Sequence, residues 1–182
     1  MAKWSLFSPA RFLAAAAFVL LADAVAAAPS KQDAIDAISV LEKSILGPDA
    51  PQAAKTIVVY AQVSDDVMVN VGPEQLPWLS EDWGLDRDRE ATLHSLLLAA
   101  FVAGDIKTQL RSARAEDDTY SGWVFAIESY RKIRAKENFS SPSLDELSKL
   151  QADGKLREKA RELQQQAEEQ DDSDSPQSKP FA

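Results

Sequence analysis

The side chains that most often carry acid-base chemistry near neutral pH are scarce in this chain. It contains one histidine, His94, and no cysteine, and these are the residues that titrate closest to pH 7. Ser95 follows His94, but neighbouring residues on a helix point in different directions, so the two do not form a dyad. No glycine pattern for a phosphate or dinucleotide is present. The sequence therefore predicts no catalytic residue, no metal ligand and no cofactor.

Carboxylates form two weaker patterns. The first is a loosely calcium-like group of four acids: Asp82, Asp86, Asp88 and Glu90. The turn glycine and bidentate glutamate of a calcium loop are missing from it. The second is the adjacent pairs 65–66 and 117–118, which would suit a glycosidase but are equally typical of helix starts. Helix capping and solvation explain these acids better, and a small carboxylate-dependent hydrolase remains the alternative function.

The tryptophan and tyrosine residues are a more distinctive feature of the sequence than the carboxylates. Beyond residue 30 the chain has three of each, and both residue types serve cores and interfaces because each ring carries a polar atom. Trp78 and Trp83 lie in a stretch that reads as a loop, where binding residues concentrate. These two are the weak candidates for a binding site, while burial in the core is the commoner role.

The stretch from Leu93 to Leu110 is the element expected to organise the others. Residues 96–104 include no polar side chain, and a helix that is apolar on every face must be surrounded by protein or lipid. Nine residues are far fewer than the roughly 20 that span a bilayer, so we expect a central core helix. Gly104 in its interior indicates close approach of a neighbouring helix, since glycine there costs roughly 1 kcal/mol relative to alanine.

Helical periodicity predicts two helices before this stretch. The first spans 31–46, with Ser30 as its N-cap and Gly47 at its end. The second opens at Asp49 or Ala50 and continues towards Met68. Many β-branched residues in 56–71 leave a short hairpin as the alternative, but a two-stranded hairpin alone is marginal.

Helix-capping and helix-breaking residues predict the structure of the remaining segments. Residues 72–86, with two prolines, two glycines and two tryptophans, predict an ordered loop, or a loop around one helical turn, packed by its own side chains. Helices are expected over 119–136 and from about 144 to 152, the latter started by a capping box of Ser143 and Glu146. A polar helix over 155–169 follows.

Both ends of the chain differ from the rest in composition. Residues 1–26 combine basic residues, an apolar run and small-residue sites typical of a cleaved signal peptide. Cleavage after Ala26 is favoured over cleavage after Ala28, which would leave Pro29 next. An uncleaved anchor is the alternative, but the run is short and Asp23 interrupts it. Residues 167–182 are acidic with almost nothing to bury, which predicts a disordered tail.

The charge of the chain is acidic and unevenly spread. The whole chain has a net charge of −9, and removing residues 1–26 takes away Lys3, Arg11 and Asp23, leaving −10. Residues 27–130 carry 8 basic and 17 acidic groups. An acidic body argues against nucleic-acid binding, which needs a basic face, and favours a basic partner or simple solubility.

These features predict an exported all-α protein with one small domain, residues 27–166, of four to six helices. An alanine-rich leader without later cysteine is typical of bacterial export, so we expect the periplasm or the exterior of the cell. We expect a binding or accessory protein rather than an enzyme. Its protein or peptide partner is unknown, a nucleic-acid partner is excluded, and no stable membrane span is expected once the leader is removed.

Overall fold

This computed structural model describes residues 27–173, with side chains described to residue 166. This part of the chain contains six α-helices and one 3-10 turn. The helices are α1 (Lys31–Lys43), α2 (Ala50–Val63), α3 (Arg87–Ser112), α4 (Thr119–Arg134), α5 (Pro142–Ala152) and α6 (Leu156–Ser173). The 3-10 turn is Pro77–Ser80. The all-α class and the expected number of helices are confirmed for the described residues.

Helix α3 is the centre of the domain. It contacts α1, α2, α4 and the 3-10 turn, while α4 also contacts α5 and α6. The Asp86 carboxylate accepts a hydrogen bond from the Arg89 N–H at 2.9 Å and starts the helix. Residues 99–106 are all buried. The central core helix expected from the apolar run is therefore confirmed.

Two glycines set the distance between α3 and α4. A Cβ added at Gly104 would lie 2.3 Å from the Ser121 carbonyl oxygen and 2.7 Å from the Phe125 Cβ. A Cβ added at Gly122 would lie 2.7 Å from the Phe101 ring. Each helix therefore brings its backbone against the other where it lacks a side chain, which is the packing role expected for Gly104.

Helix α2 ends at Val63, and its predicted extension towards Met68 is wrong. Residues 56–63 are helical as preferred over the hairpin, but residues 67–71 form neither a helix nor a strand. Side chains from α3 and the α3–α4 connection bind the backbone of 67–71 instead. Those partners lie 41 and 47 residues away, so no local pattern could reveal them.

The start of α5 also differs from the prediction. Ser141, not Ser143, is the N-cap, and its hydroxyl accepts a hydrogen bond from the Leu144 N–H at 3.3 Å. Ser143 instead donates its N–H and hydroxyl to Glu81 in the 72–86 loop. Pro142 occupies the first turn, where its missing N–H leaves no bond unmade.

The loop 72–86 is ordered around its single 3-10 turn, as expected. The Trp123 indole N–H donates to the Gln75 carbonyl at 2.7 Å and ties the loop to α4. None of the helices within residues 27–173 is long and apolar enough to cross a membrane. The signal peptide assigned to 1–26 lies outside the described residues. The predicted tail begins at 167, yet α6 continues to Ser173, and residues 174–182 lie outside the described part.

Candidate functional site

A polar network binds residues 66–71, which we call the edge segment, to α3. The Gln109 side chain uses both ends of its amide: Oε1 accepts from the Met68 N–H at 2.8 Å, and Nε2 donates to the Met68 carbonyl at 2.6 Å. The Asn70 N–H donates to the Asp117 carboxylate at 2.6 Å. The Gln109 amide thus pairs with the backbone as a neighbouring strand would.

Asp105 lies one turn before Gln109 on α3 and is completely buried. Its Oδ1 accepts from Gln109 Nε2 at 2.7 Å and from the Asp118 N–H at 2.9 Å, while Oδ2 has no hydrogen-bond partner among the described residues. Burial, reinforced by the negative charge of Asp117, raises the pKa of Asp105 to about 8. The Asp105 carboxyl group is therefore mostly protonated at neutral pH.

Glu81 organises a second polar cluster between the 72–86 loop and α5. Its carboxylate accepts from the Trp83 indole N–H at 2.9 Å, from the Ser141 hydroxyl, and from the N–H and hydroxyl of Ser143. Burial alone would raise the pKa of Glu81, but these hydrogen bonds bring it below its ordinary value. Glu81 is therefore an ionised carboxylate that joins two elements rather than a free acid.

His94 lies at the edge of the core beside this cluster. Its ring meets the Trp83 ring edge-on with centroids 4.0 Å apart, and burial lowers the pKa of His94. Nε2 is buried without a hydrogen-bond partner among the described residues. The Ser95 hydroxyl donates to the Ala91 carbonyl at 2.8 Å. Histidine and serine therefore have separate environments, as helix geometry requires.

The two binding candidates, Trp78 and Trp83, both point into the protein. Trp78 is fully buried and contacts Phe101 edge-on, and Trp83 is 9% exposed and packs on Phe139. Each ring belongs to the core in this conformation. A contact between either ring and a partner stays a prediction, and it would require the 72–86 loop to move outwards.

Four of the acids with calcium-like or glycosidase-like spacing have local structural roles. Asp82, Asp86 and Asp118 each accept a backbone hydrogen bond in a turn or at a helix start, and Glu90 accepts one from the loop before α3. Across the described side chains, residues 27–166, no three or more histidine or carboxylate groups are arranged to hold a metal ion. Backbone hydrogen bonding accounts for these four acids.

The surface around the edge segment is acidic and partly apolar. Residues 56–86 contain six acids and no lysine or arginine. Three of these acids precede, begin or follow the edge segment and are exposed: Asp65, Asp66 and Glu74. Within the described residues, none of the three is paired with a lysine or arginine. Met68 is 48% and Val71 is 57% exposed. Carboxylates without an ion-pair partner therefore lie before, at the start of and after a segment with accessible apolar side chains.

An open groove of about 320 Å³ lies between α2 and α3. Apolar and hydroxyl side chains line it, among them Val58, Leu98 and Ser95, together with one cation, Lys55. No carboxylate is among the lining residues, so carboxylate-dependent hydrolysis would need another site.

Sequence reasoning missed Asp105, Gln109 and Glu81 as the organising polar residues. For the first two a signal was present, because residues four apart lie on one face of a helix, and a polar pair on a buried face needs partners. No such signal existed for Glu81. Its donors on Ser141 and Ser143 are 60 and 62 residues away in the chain.

A scan against models of known protein families finds no match to this chain. Searches of curated proteins and of solved structures likewise find none with significant similarity. Function is therefore inferred from the chain's own residues.

Proposed function

We propose that the protein is exported and acts in the periplasm or outside the cell as a non-enzymatic binding or accessory protein for a basic protein or peptide. The observation that carries this proposal is the acidic surface around the edge segment. Asp65, Asp66 and Glu74 are exposed there without a cationic partner in the described residues.

Charges that are uncompensated within their own chain remain available to a partner. They attract a basic molecule at long range and increase its association rate at low salt. The exposed Met68 and Val71 side chains then offer apolar contact at short range. Charge and apolar exposure together support binding to a basic partner more than solubility alone, which would not require the apolar side chains.

Charge reversal tests this proposal. The variant Asp65→Lys/Glu74→Lys is compared with a control of equal charge change, Glu146→Lys/Glu158→Lys, whose acids are exposed on α5 and α6. Each protein is immobilised, and the retained proteins from an envelope extract are quantified by mass spectrometry. We expect the wild type and the control to retain the same basic protein and the first variant to lose it. Equal retention by both variants would show that the acidic surface is not the binding site.

Export is tested on the protein recovered from the envelope fraction. We expect an intact mass that lacks about 26 residues, because the start of the chain has the basic region, apolar run and small-residue site of a signal peptide. Recovery of the chain with Met1 in soluble cytoplasmic material would contradict export.

A small carboxylate-dependent hydrolase is the second candidate, favoured by one observation. Burial, with the negative charge of nearby Asp117, raises the pKa of Asp105 to about 8, and a carboxyl group that stays protonated near neutral pH suits general acid catalysis. Asp105, however, is completely buried, so substrate would reach it only after the edge segment moved. A hydrolytic activity that is lost in Asp105→Asn, with unchanged folding, would favour this alternative over a binding protein.

A further inference from the structure

Hydrogen bonds along the edge segment alternate between adjacent residues. The N–H groups of Met68 and Asn70 donate to side chains of α3 and of the α3–α4 connection. The N–H groups of Val67, Val69 and Val71 have no hydrogen-bond partner among the described residues. In an extended chain the N–H and C=O of one residue point to the same side, and those of the next residue point to the other side. The odd-numbered residues therefore present a second, unpaired edge.

This second edge has no hydrogen-bond partner in the described part of the chain. Backbone N–H groups that are buried are almost always hydrogen-bonded, so the unpaired groups of the odd-numbered residues must be hydrated. The Val67 side chain is buried and Val69 packs partly buried against the core. Met68 and Val71 are exposed and are the side chains that a neighbouring strand can contact. Natural proteins usually protect such an edge with lysine, proline or a covering element. Residues 66–71 contain no lysine and no proline.

We propose that the free edge at Val67, Val69 and Val71 binds an extended peptide that carries lysine or arginine, which adds to the edge segment as a neighbouring strand. This inference rests on the proposed function and specifies how the basic partner is held. Backbone hydrogen bonds give such a strand its affinity, and side chains on alternate positions give it specificity. An apolar residue of the peptide meets Met68 or Val71, and its cations meet the surrounding acids.

Charge argues for a basic peptide and against a second copy of this chain. Asp65, Asp66 and Glu74 lie before, at the start of and after this edge, and residues 56–86 supply no cation to offset them. Two copies paired edge to edge would bring these acids together, and like charges opposite one another on paired strands are destabilising. A strand of lysine alternating with an apolar residue satisfies both the acids and the exposed apolar side chains.

A proline substitution at position 69 distinguishes strand addition from binding that does not use the backbone N–H of Val69. Val69→Pro removes an N–H that has no partner in the protein and places the ring on the free edge, where proline is tolerated in edge strands. The attachments through Met68 and Asn70 remain. Val69→Ala is the matched control, because it also shortens the side chain but keeps the N–H. Thermal unfolding of both variants establishes that they are folded before binding is measured.

The probe is a fluorescein-labelled seven-residue peptide of alternating lysine and valine, titrated at low salt against the protein as purified from the cell that makes it. We expect Val69→Pro to weaken binding by about tenfold or more and Val69→Ala by about threefold or less. In hydrogen-exchange NMR the peptide should slow exchange at Val67, Val69 and Val71. No binding of this peptide to the wild type, or protection only at the α2–α3 groove, would overturn the proposal.

The remaining outcomes separate this inference from the proposed function. Equal binding by Val69→Pro and Val69→Ala would overturn strand addition while leaving a basic partner in place. A control peptide with glutamate in place of lysine should not bind, and equal binding of the two peptides would refute the basic partner itself. Self-association of the wild type that Val69→Pro abolishes would identify a second copy as the occupant and also overturn the proposal.

Discussion

Replacement of Gly104 by alanine tests whether close packing of α3 on α4 determines the stability of the domain. Two effects oppose each other. Alanine is better than glycine in a helix interior by roughly 1 kcal/mol. Its Cβ, however, would lie 2.3 Å from the Ser121 carbonyl oxygen and 2.7 Å from the Phe125 Cβ. Ordinary contact begins near 3.4 Å, so the two helices must separate by about 1 Å, and a backbone carbonyl cannot rotate away as a flexible side chain could.

The steric effect is expected to exceed the gain in helix propensity. Overpacking a well-packed core costs about 1–3 kcal/mol, and a backbone contact that cannot yield belongs at the upper end. After subtraction of the roughly 1 kcal/mol propensity gain, Gly104→Ala should lower the free energy of unfolding by about 2 kcal/mol. For a domain of this size that corresponds to a decrease in melting temperature of about 6–8 °C. Gly104→Leu should lower the free energy of unfolding further, because the longer leucine side chain cannot fit between the two helices.

Two other glycines provide controls for this prediction. Gly122→Ala meets the buried Phe101 ring at 2.7 Å and the Phe101 carbonyl oxygen at 3.0 Å. Its loss of stability should be smaller than that of Gly104→Ala, because its backbone contact is less close. Gly154→Ala meets nothing within 4 Å but has φ of +73°, which costs roughly 1–2 kcal/mol through backbone strain alone. Urea and thermal unfolding measure all three. If Gly104→Ala proved as stable as the wild type, the two helices would not be held at the observed distance and the reasoning would be refuted.

Three further predictions concern the polar groups and the C-terminal end. Asp105→Asn should be more stable than the wild type near pH 8 but not near pH 4. The pKa of Asp105 is raised from 3.8 to about 8 in the folded protein. The wild-type carboxyl group therefore contributes its full stabilisation below pH 3.8, and this contribution is lost as the pH rises through about 8. Equal slopes of melting temperature against pH for the two proteins would contradict this. Glu81→Gln should destabilise the fold by about 2 kcal/mol at pH 7, because an amide cannot accept all the hydrogen bonds that the carboxylate receives. The difference in stability between variant and wild type should shrink at low pH, where the wild-type carboxylate becomes protonated. Chemical unfolding of the two proteins at pH 7 and at low pH measures this difference. Truncation after Gln166 should leave the melting temperature unchanged, since Leu163 is the last buried residue among those described. The helical circular dichroism should fall only by the contribution of residues 167–173, the end of α6. A drop of several degrees in melting temperature would show that the end of the chain is docked.

Local signals predicted most of the helix boundaries within a few residues. Ser30 is the N-cap expected at the start of α1, where Asp33 completes a capping box. Gly154, with its positive φ, separates α5 from α6. These features depend on residues three or four positions apart, or on the conformational freedom of one residue. Sequence alone is sufficient for such interactions, because both partners lie within one turn.

Burial of the loop tryptophans could be anticipated but not decided in advance. Trp78 and Trp83 suit both a core and an interface by residue type, although the core is the commoner role. Only the folded chain shows that Trp78 packs on Phe101 and that Glu81 receives the Trp83 N–H. The candidate site was even harder to predict from the sequence, since the edge segment is held by partners on α3 and on the α3–α4 connection.

The sequence by itself determined the all-α class, the central buried helix and the acidic character of the chain, because periodicity, apolar run length and charge are sums over neighbouring residues. Tertiary structure alone decided where α2 stops, which serine caps α5 and that Asp105 is buried protonated beside Asp117. Each of these depends on groups between 12 and 62 residues apart. Desolvation and hydrogen bonding at such distances arise only when the helices have packed, and they can override the propensity of a short segment such as 67–71.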